Sequence, residues 1–139
     1  MLAPRIPAGK KEAAQVDPLK MRTAEAVALV NGPDPMRGIM MLRELAEEDP
    51  GNAEVQWHLG MFSAQSGQFD KAAERLRKVL ELDEAGYPDA WFYLGHVYAA
   101  LDSIDQALEC LGTYRTLLDD PERIAELDRS MEKLANEKR

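Results

Sequence analysis

One cysteine, Cys110, stands among the 139 residues. With no second thiol the chain cannot close an internal disulfide. In a helical stretch Cys110 reads as a small buried hydrophobe, since a reactive thiol needs an electropositive setting that the sequence does not display. Histidine is almost as scarce. His58 and His96 are the only two, and neither has metal-motif spacing to Cys, Asp or Glu. Glu54 and His58 lie four apart, one helical turn, but two ligands do not make a metal site, and a solvated surface contact is expected there. No apolar run approaches the ~18 residues of a membrane span. The start, Met1-Leu2-Ala3-Pro4-Arg5-Ile6-Pro7, has prolines where a secretory signal needs a continuous apolar segment. No glycine-rich loop joins a strand to a helix, and there is no Walker lysine and no G-x-S-x-G. Acidic pairs such as Glu47-Glu48 and Asp119-Asp120 fall at helix ends, where they read as caps or solvated faces. These absences point away from an enzyme, and they imply neither metal nor cofactor.

Positive charge is also in short supply. The net charge is −8, unevenly spread. Through Arg22 the chain carries five basic and two acidic residues, +3; the remainder has 12 and 23, or −11. An acidic body argues against nucleic acid and against docking on an anionic membrane. Cytoplasmic placement is the default expectation. A periplasmic or membrane-tethered place follows only if a targeting segment precedes the chain.

What the chain does have is a repeat. Trp57-His58-Leu59-Gly60-Met61-Phe62, then Gly67-Gln68-Phe69-Asp70-Lys71-Ala72-Ala73-Glu74-Arg75-Leu76, forms one copy. Phe92-Tyr93-Leu94-Gly95-His96-Val97-Tyr98, then Asp102-Ser103-Ile104-Asp105-Gln106-Ala107-Leu108-Glu109-Cys110-Leu111, forms the other, 35 residues on. A period of this size means stacked supersecondary units. Upstream, Gly38-Ile39-Met40-Met41-Leu42, Leu45 and Asp49-Pro50 outline the second helix of a weaker copy.

The pattern resembles the tetratricopeptide repeat (TPR), a helix-turn-helix unit of about 34 residues. The residues that carry the resemblance are Leu59-Gly60, Gly67, Phe69, Ala72 and Leu76, and then Trp91, Leu94-Gly95, Tyr98, Ala107 and Leu111. It covers roughly residues 18–118. Three positions depart from the pattern: Asp102 replaces a usual glycine, Glu84 a usual proline, and Tyr114 a usual alanine. The expected fold is all-α, a tetratricopeptide-type helical-hairpin solenoid of about three repeats plus a C-terminal capping helix.

Local signals divide the chain. Residues 1–16, with early prolines and few large apolar side chains, read as a disordered tail or linker, leaving 17–139 as a single TPR domain. Repeat 1 spans about 18–50. Asp17-Pro18 and Asp34-Pro35 each supply an N-cap and a first-turn proline, and Asn31-Gly32 stops the first helix. Repeat 2 spans about 52–84, with Asn52 as N-cap and Ser66-Gly67 as the turn. Repeat 3 spans about 87–119, and its second helix opens on Ser103-Ile104-Asp105-Gln106, the form of a capping box. Gly60 and Gly95 sit inside helices, where glycine costs ~1 kcal/mol against alanine. Close approach of a neighbouring helix explains them, with Ala72 and Ala107 as small partners. After Asp120-Pro121 a helix of about 121–137 carries Ile124, Leu127, Met131 and Leu134 in one narrow stripe. It reads as a cap over the last hairpin, expected to cover Leu108, Leu111 and Leu117; a stripe that recruits a second copy is the alternative.

The resemblance implies that the first helix of each repeat lines an inner groove. The inward stripe of repeat 2 would then be Glu54, Trp57, Met61, Ala64 and Gln65, and that of repeat 3 Asp89, Phe92, His96, Ala99 and Ala100. Each set shares one helix face. Glu54, Trp57, Met61, Gln65, Asp89, Phe92 and His96 are therefore the candidate peptide-binding residues, with Trp57 and Phe92 either anchors or core. Trp91 matches the family's packing tryptophan. Where some family members clamp acidic C-termini with lysine, asparagine and arginine, this chain has Thr23, Val27, His58, Asp89 and Tyr93. An apolar or basic protein or peptide is the expected partner, bound by a non-catalytic adaptor; self-association or packing within a larger chain is the alternative.

Overall fold

The computed structural model describes residues 17–138. The expectation of a disordered tail over 1–16 lies outside the described residues. Among these, seven α-helices form and no strand does: α1 (Pro18–Val30), α2 (Pro35–Glu48), α3 (Ala53–Gln65), α4 (Phe69–Asp83), α5 (Asp89–Ala100), α6 (Ile104–Arg115) and α7 (Pro121–Glu137). None of them is long and apolar enough to cross a membrane. The chain divides into two compact units, one ending at Glu48 and the other beginning at Asp49.

The first unit pairs α1 with α2. Asp17 Oδ1 accepts the amide of Leu19 at 2.9 Å and Asp34 Oδ1 that of Arg37 at 3.4 Å, so each Asp-Pro step satisfies a donor the helix start leaves free. Ala26, Ile39, Leu42 and Leu45 are the unit's buried apolar side chains, with Ala46 beside them in sequence. Arg22 reaches from α1 to Glu48 at the end of α2 through two bonds of 2.9 and 2.6 Å. Thr23 is buried and donates its hydroxyl to Leu19 O at 2.7 Å. The position that resemblance offered for ligand contact is thus an interior one.

The second unit holds two hairpins, α3–α4 and α5–α6, with α4 packed on α5 and α7 packed on α6. Asn52 Oδ1 caps α3 through the amide of Val55 (3.2 Å), and Asp120 Oδ1 caps α7 through that of Glu122 (3.0 Å). The expected capping box on α6 does not form: Ser103 makes no side-chain cap bond. Its amide instead donates to Tyr98 O at 2.8 Å, closing the end of α5.

That closure is the same in both hairpins. Gln68 N donates to Ser63 O at 2.8 Å and Gly67 N to Ala64 O at 3.3 Å. Thirty-five residues on, Ser103 N donates to Tyr98 O at 2.8 Å and Asp102 N to Ala99 O at 3.0 Å. Both are helix stops of the Schellman type, which demand a left-handed residue after the C-cap. Gly67 takes it with φ 78° and Asp102 with φ 61°.

Gly60 and Gly95 do lie where helices meet. A Cβ on Gly60 would stand 3.2 Å from Leu76 Cγ, and one on Gly95 would stand 2.7 Å from Leu111 Cδ2. The tightest neighbours are therefore leucine side chains of α4 and α6, joined at Gly60 by Arg75 Cβ at the same 3.2 Å. Of the expected alanine partners, the Ala107 carbonyl is among the nearest atoms, 3.3 Å from the Gly95 position. Leucine wins because its branched end fills the notch that the missing side chain leaves.

Ala72, Ala73, Leu76, Leu94, Val97, Tyr98, Ala107 and Cys110 form the main core. A second cluster of Leu111, Tyr114 and Leu127 joins α6 to α7, with Leu118, Met131 and Leu134 packed around it. Leu117 was expected beneath α7, yet it is 51% exposed. It falls just past the end of α6, where the chain turns and aims it outward.

Candidate functional site

Aromatic rings on and beside α3 and α5 form a connected series. Trp57 meets Tyr87 at a centroid distance of 5.4 Å and the edge of Tyr93 at 5.8 Å. Phe92 meets Tyr93 at 5.3 Å, His96 at 4.4 Å and Tyr114 at 5.2 Å. Trp57 and Phe92 are thus linked through Tyr93. The helical period explains the arrangement: Phe92 and His96 are one turn apart on α5, and Phe92 falls 35 residues after Trp57, the repeat distance. Tilted and edge-on contacts at these distances suit the aromatic quadrupoles.

Exposure divides the candidate residues. Trp57, Met61 and Phe92 are half-buried, while Glu54, Gln65, Asp89 and His96 are exposed. Trp57 also packs against the main core and Phe92 against the α6–α7 cluster. Each ring therefore serves the interior with one side and keeps part of the other in water. Trp91 is likewise half-buried, and its Nε1 is buried without a hydrogen-bond partner.

Polar groups edge the rings. Tyr114 donates its hydroxyl to Asp89 Oδ1 at 3.3 Å and accepts from Arg123 of α7 at 2.8 Å. Phe92, His96, Tyr114, Leu118, Arg123, Glu126, Leu127 and Ser130 enclose a concavity of about 230 Å³. Partial burial pushes the imidazoles of His58 and His96 below their ordinary value, and the Glu54 carboxylate partly offsets this at His58. Burial raises the Tyr87 hydroxyl, reinforced by Glu54 and Asp83. Cys110 is buried, and desolvation pushes its thiol up to about 11. It is not poised to act as a nucleophile at neutral pH. Among the described residues no three His, Cys, Asp or Glu side chains are grouped to hold a metal ion.

Sequence reasoning overlooked Tyr87, Tyr114 and Arg123 as neighbours of this face, and it considered Tyr93 only as a clamp position. Tyr87 lies outside any helix, so no periodicity marks it. Tyr114 was visible as a departure from the usual alanine, but its direction depends on how α6 packs on α5. Arg123 belongs to α7, which periodicity alone cannot orient.

The helical pairs, their period and the glycine contacts define a helical-repeat protein. The tetratricopeptide repeat family matches residues 34–84 and 63–129. The chain belongs to that family, whose repeats are protein-interaction modules. Among solved structures, one described as "MamA RS-1 ArsTM double mutant" is 16% identical, with a TM-score of 0.44 over 89% of this chain and 98% of that one. No curated protein matches the sequence.

Proposed function

We propose that the protein is a non-catalytic adaptor that binds a protein or peptide segment across the aromatic face of α3 and α5. The observation that carries this reading is the partly exposed ring series Tyr87–Trp57–Tyr93–Phe92, backed by the buried Tyr114 and flanked by Glu54 and Asp89. Half-buried aromatic side chains supply contact area with little rotamer entropy to lose, which is how binding hot spots work. Met61 adds an adaptable apolar contact one turn from Trp57. Carboxylates at the margin repel an acidic terminus and favour an apolar segment that carries basic groups.

The test is affinity capture with the wild-type chain and with a Trp57→Ala/Phe92→Ala variant. Capture lost from a variant that keeps its helical circular dichroism supports the binding face. Unfolding of the variant with no selective loss of capture assigns both rings to the core instead. Self-association is a second reading, favoured by the exposure of Met21 (57%), Met36 (53%) and Met40 (62%) in the first unit. A sedimentation series over concentration separates it: a constant monomer mass rules it out.

A further inference from the structure

A second concavity, of about 420 Å³, opens between the second helices α4 and α6, away from the face proposed above. Its apolar surface comes from Leu80 of α4, Trp91 of α5 and Cys110 of α6. Because Trp91 Nε1 is itself buried, what that ring offers the cavity is carbon. Glu81, Glu84 and Glu109, all exposed, stand around the apolar surface. One cation faces them: Arg77, whose guanidinium donates to the Tyr98 hydroxyl at 2.8 Å. Three carboxylates against one guanidinium leave the cavity negative.

We propose that this cavity is a second docking site, which takes an arginine side chain of a partner protein. An apolar wall that includes indole carbon, within reach of carboxylates, suits a cation that is flat and weakly hydrated. Guanidinium can lie against a ring face and still pair a carboxylate through two parallel N–H bonds. An ammonium is compact and strongly hydrated, so it gains less from the wall. An anionic side chain would meet three carboxylates and is rejected. The site is independent of Trp57 and Phe92, so a failed groove leaves it standing.

The test is a titration of the isotope-labelled chain, followed by amide and indole NMR shifts, with the peptide acetyl-Ala-Ala-Arg-Ala-Ala-amide. The same peptide with glutamine in place of arginine, and spermidine, serve as comparisons. The arginine peptide is expected to shift Arg77, Glu81, Trp91 and Glu109 while leaving Trp57 and Met61 unmoved. A Glu81→Gln/Glu84→Gln/Glu109→Gln variant is expected to weaken binding at least about tenfold with its melting temperature unchanged, because all three side chains are exposed. Four results would each overturn the proposal. They are no shift up to about 10 mM peptide, equal binding of the glutamine peptide, undiminished binding by the triple variant, and tighter binding of spermidine than of the arginine peptide.

Discussion

Gly67 and Asp102 stand 35 residues apart and close the same bend, both with left-handed backbone, at φ 78° and 61°. The helix stop dictates the conformation, and only glycine adopts it without steric cost. Asp102 therefore carries strain that Gly67 does not. Replacing Asp102 with glycine removes that strain but adds freedom to the unfolded chain. The net gain expected is about 0.5 kcal/mol, read from urea unfolding. The reverse change, Gly67→Asp, meets no crowding, since nothing lies within 4 Å of a Cβ there. Its cost of about 1 kcal/mol is then backbone strain alone. A destabilised Asp102→Gly would show that the carboxylate itself supports the turn.

Gly60 and Gly95 are equivalent in sequence but not in tightness. Alanine gains about 1 kcal/mol over glycine inside a helix. At Gly60 the new methyl would meet Arg75 Cβ and the Leu76 side chain, each at 3.2 Å, a gap that shifts of a few tenths of an ångström absorb. Gly60→Ala is expected within about 1 kcal/mol of the parent. At Gly95 the methyl would fall 2.7 Å from Leu111 Cδ2, and Leu111 is fully buried and cannot swing away. Gly95→Ala is expected to lose about 1–3 kcal/mol despite its better propensity. Thermal melts of the two variants give the ranking directly, and equal losses would remove the distinction.

Features set by neighbours in the chain were legible in the sequence. The caps at Asp17, Asn52 and Asp120 depend on a side chain and an amide two or three residues away, and all three bonds form. The repeat announced the helical hairpins, and the mid-helix glycines announced close contact. Features set by packing were not legible. Ser103 has the letters of a cap, but its amide is drawn into closing α5, and the side chain makes no cap bond. Leu117 has the letter of a core residue and faces water. On the candidate face, Trp57 and Phe92 stood out by type and spacing. Their partners Tyr87, Tyr93 and Tyr114 come from a loop, an adjacent position and another hairpin arm, which only three-dimensional packing assembles.

Tyr114 ties three elements: its ring lies on Phe92 of α5, and its hydroxyl joins Asp89 to Arg123 of α7. Tyr114→Phe keeps the ring and loses both bonds. Asp89 and Arg123 are exposed and can turn to water, so the cost should be only about 0.5–1.5 kcal/mol. Tyr114→Ala empties a site that is 4% exposed, beside Leu111 and Leu127, and should cost about 3–5 kcal/mol. Chemical denaturation of the pair separates ring from hydroxyl. A Tyr114→Phe loss as large as that of alanine would place the main contribution in the polar link.

Removing residues 121–139 uncovers Leu111, Tyr114 and Leu118, which now pack with Leu127, Met131 and Leu134. Losing the burial of several such side chains, each worth about 1.5–3 kcal/mol, consumes much of a domain's net stability. The truncated chain is expected to aggregate or to melt early, with loss of protection at α6 in hydrogen exchange. Leu117 contributes nothing to this, being exposed already. A monomeric truncated chain as stable as the parent would reassign α7 to recruitment of a second copy.

Acidification tests the two histidines. Partial desolvation holds His58 below its ordinary value of 6.5, with Glu54 opposing the shift, and lowers His96 as well although that residue keeps much of its surface in water. A depressed imidazole value means that the unfolded chain takes up protons first as pH falls. The stabilisation is complete above the unfolded value and is lost as pH drops through about 6.5. The carboxylates Glu48 and Asp128, held low by Arg22 and Arg115, act only in more acid solution. Net charge pulls the other way: the chain carries −8, and added protons relieve its self-repulsion. The two effects differ in origin and can be separated with salt, which screens the general repulsion more than a desolvation penalty. At high salt the melting temperature of the parent should fall between about pH 8 and about pH 5.5. A His58→Gln/His96→Gln variant should show little change over the same interval. A parent that is flat or more stable at the acid end would mean that both imidazoles are freely hydrated, and that the ring contact between Phe92 and His96 does not exclude water from the histidine.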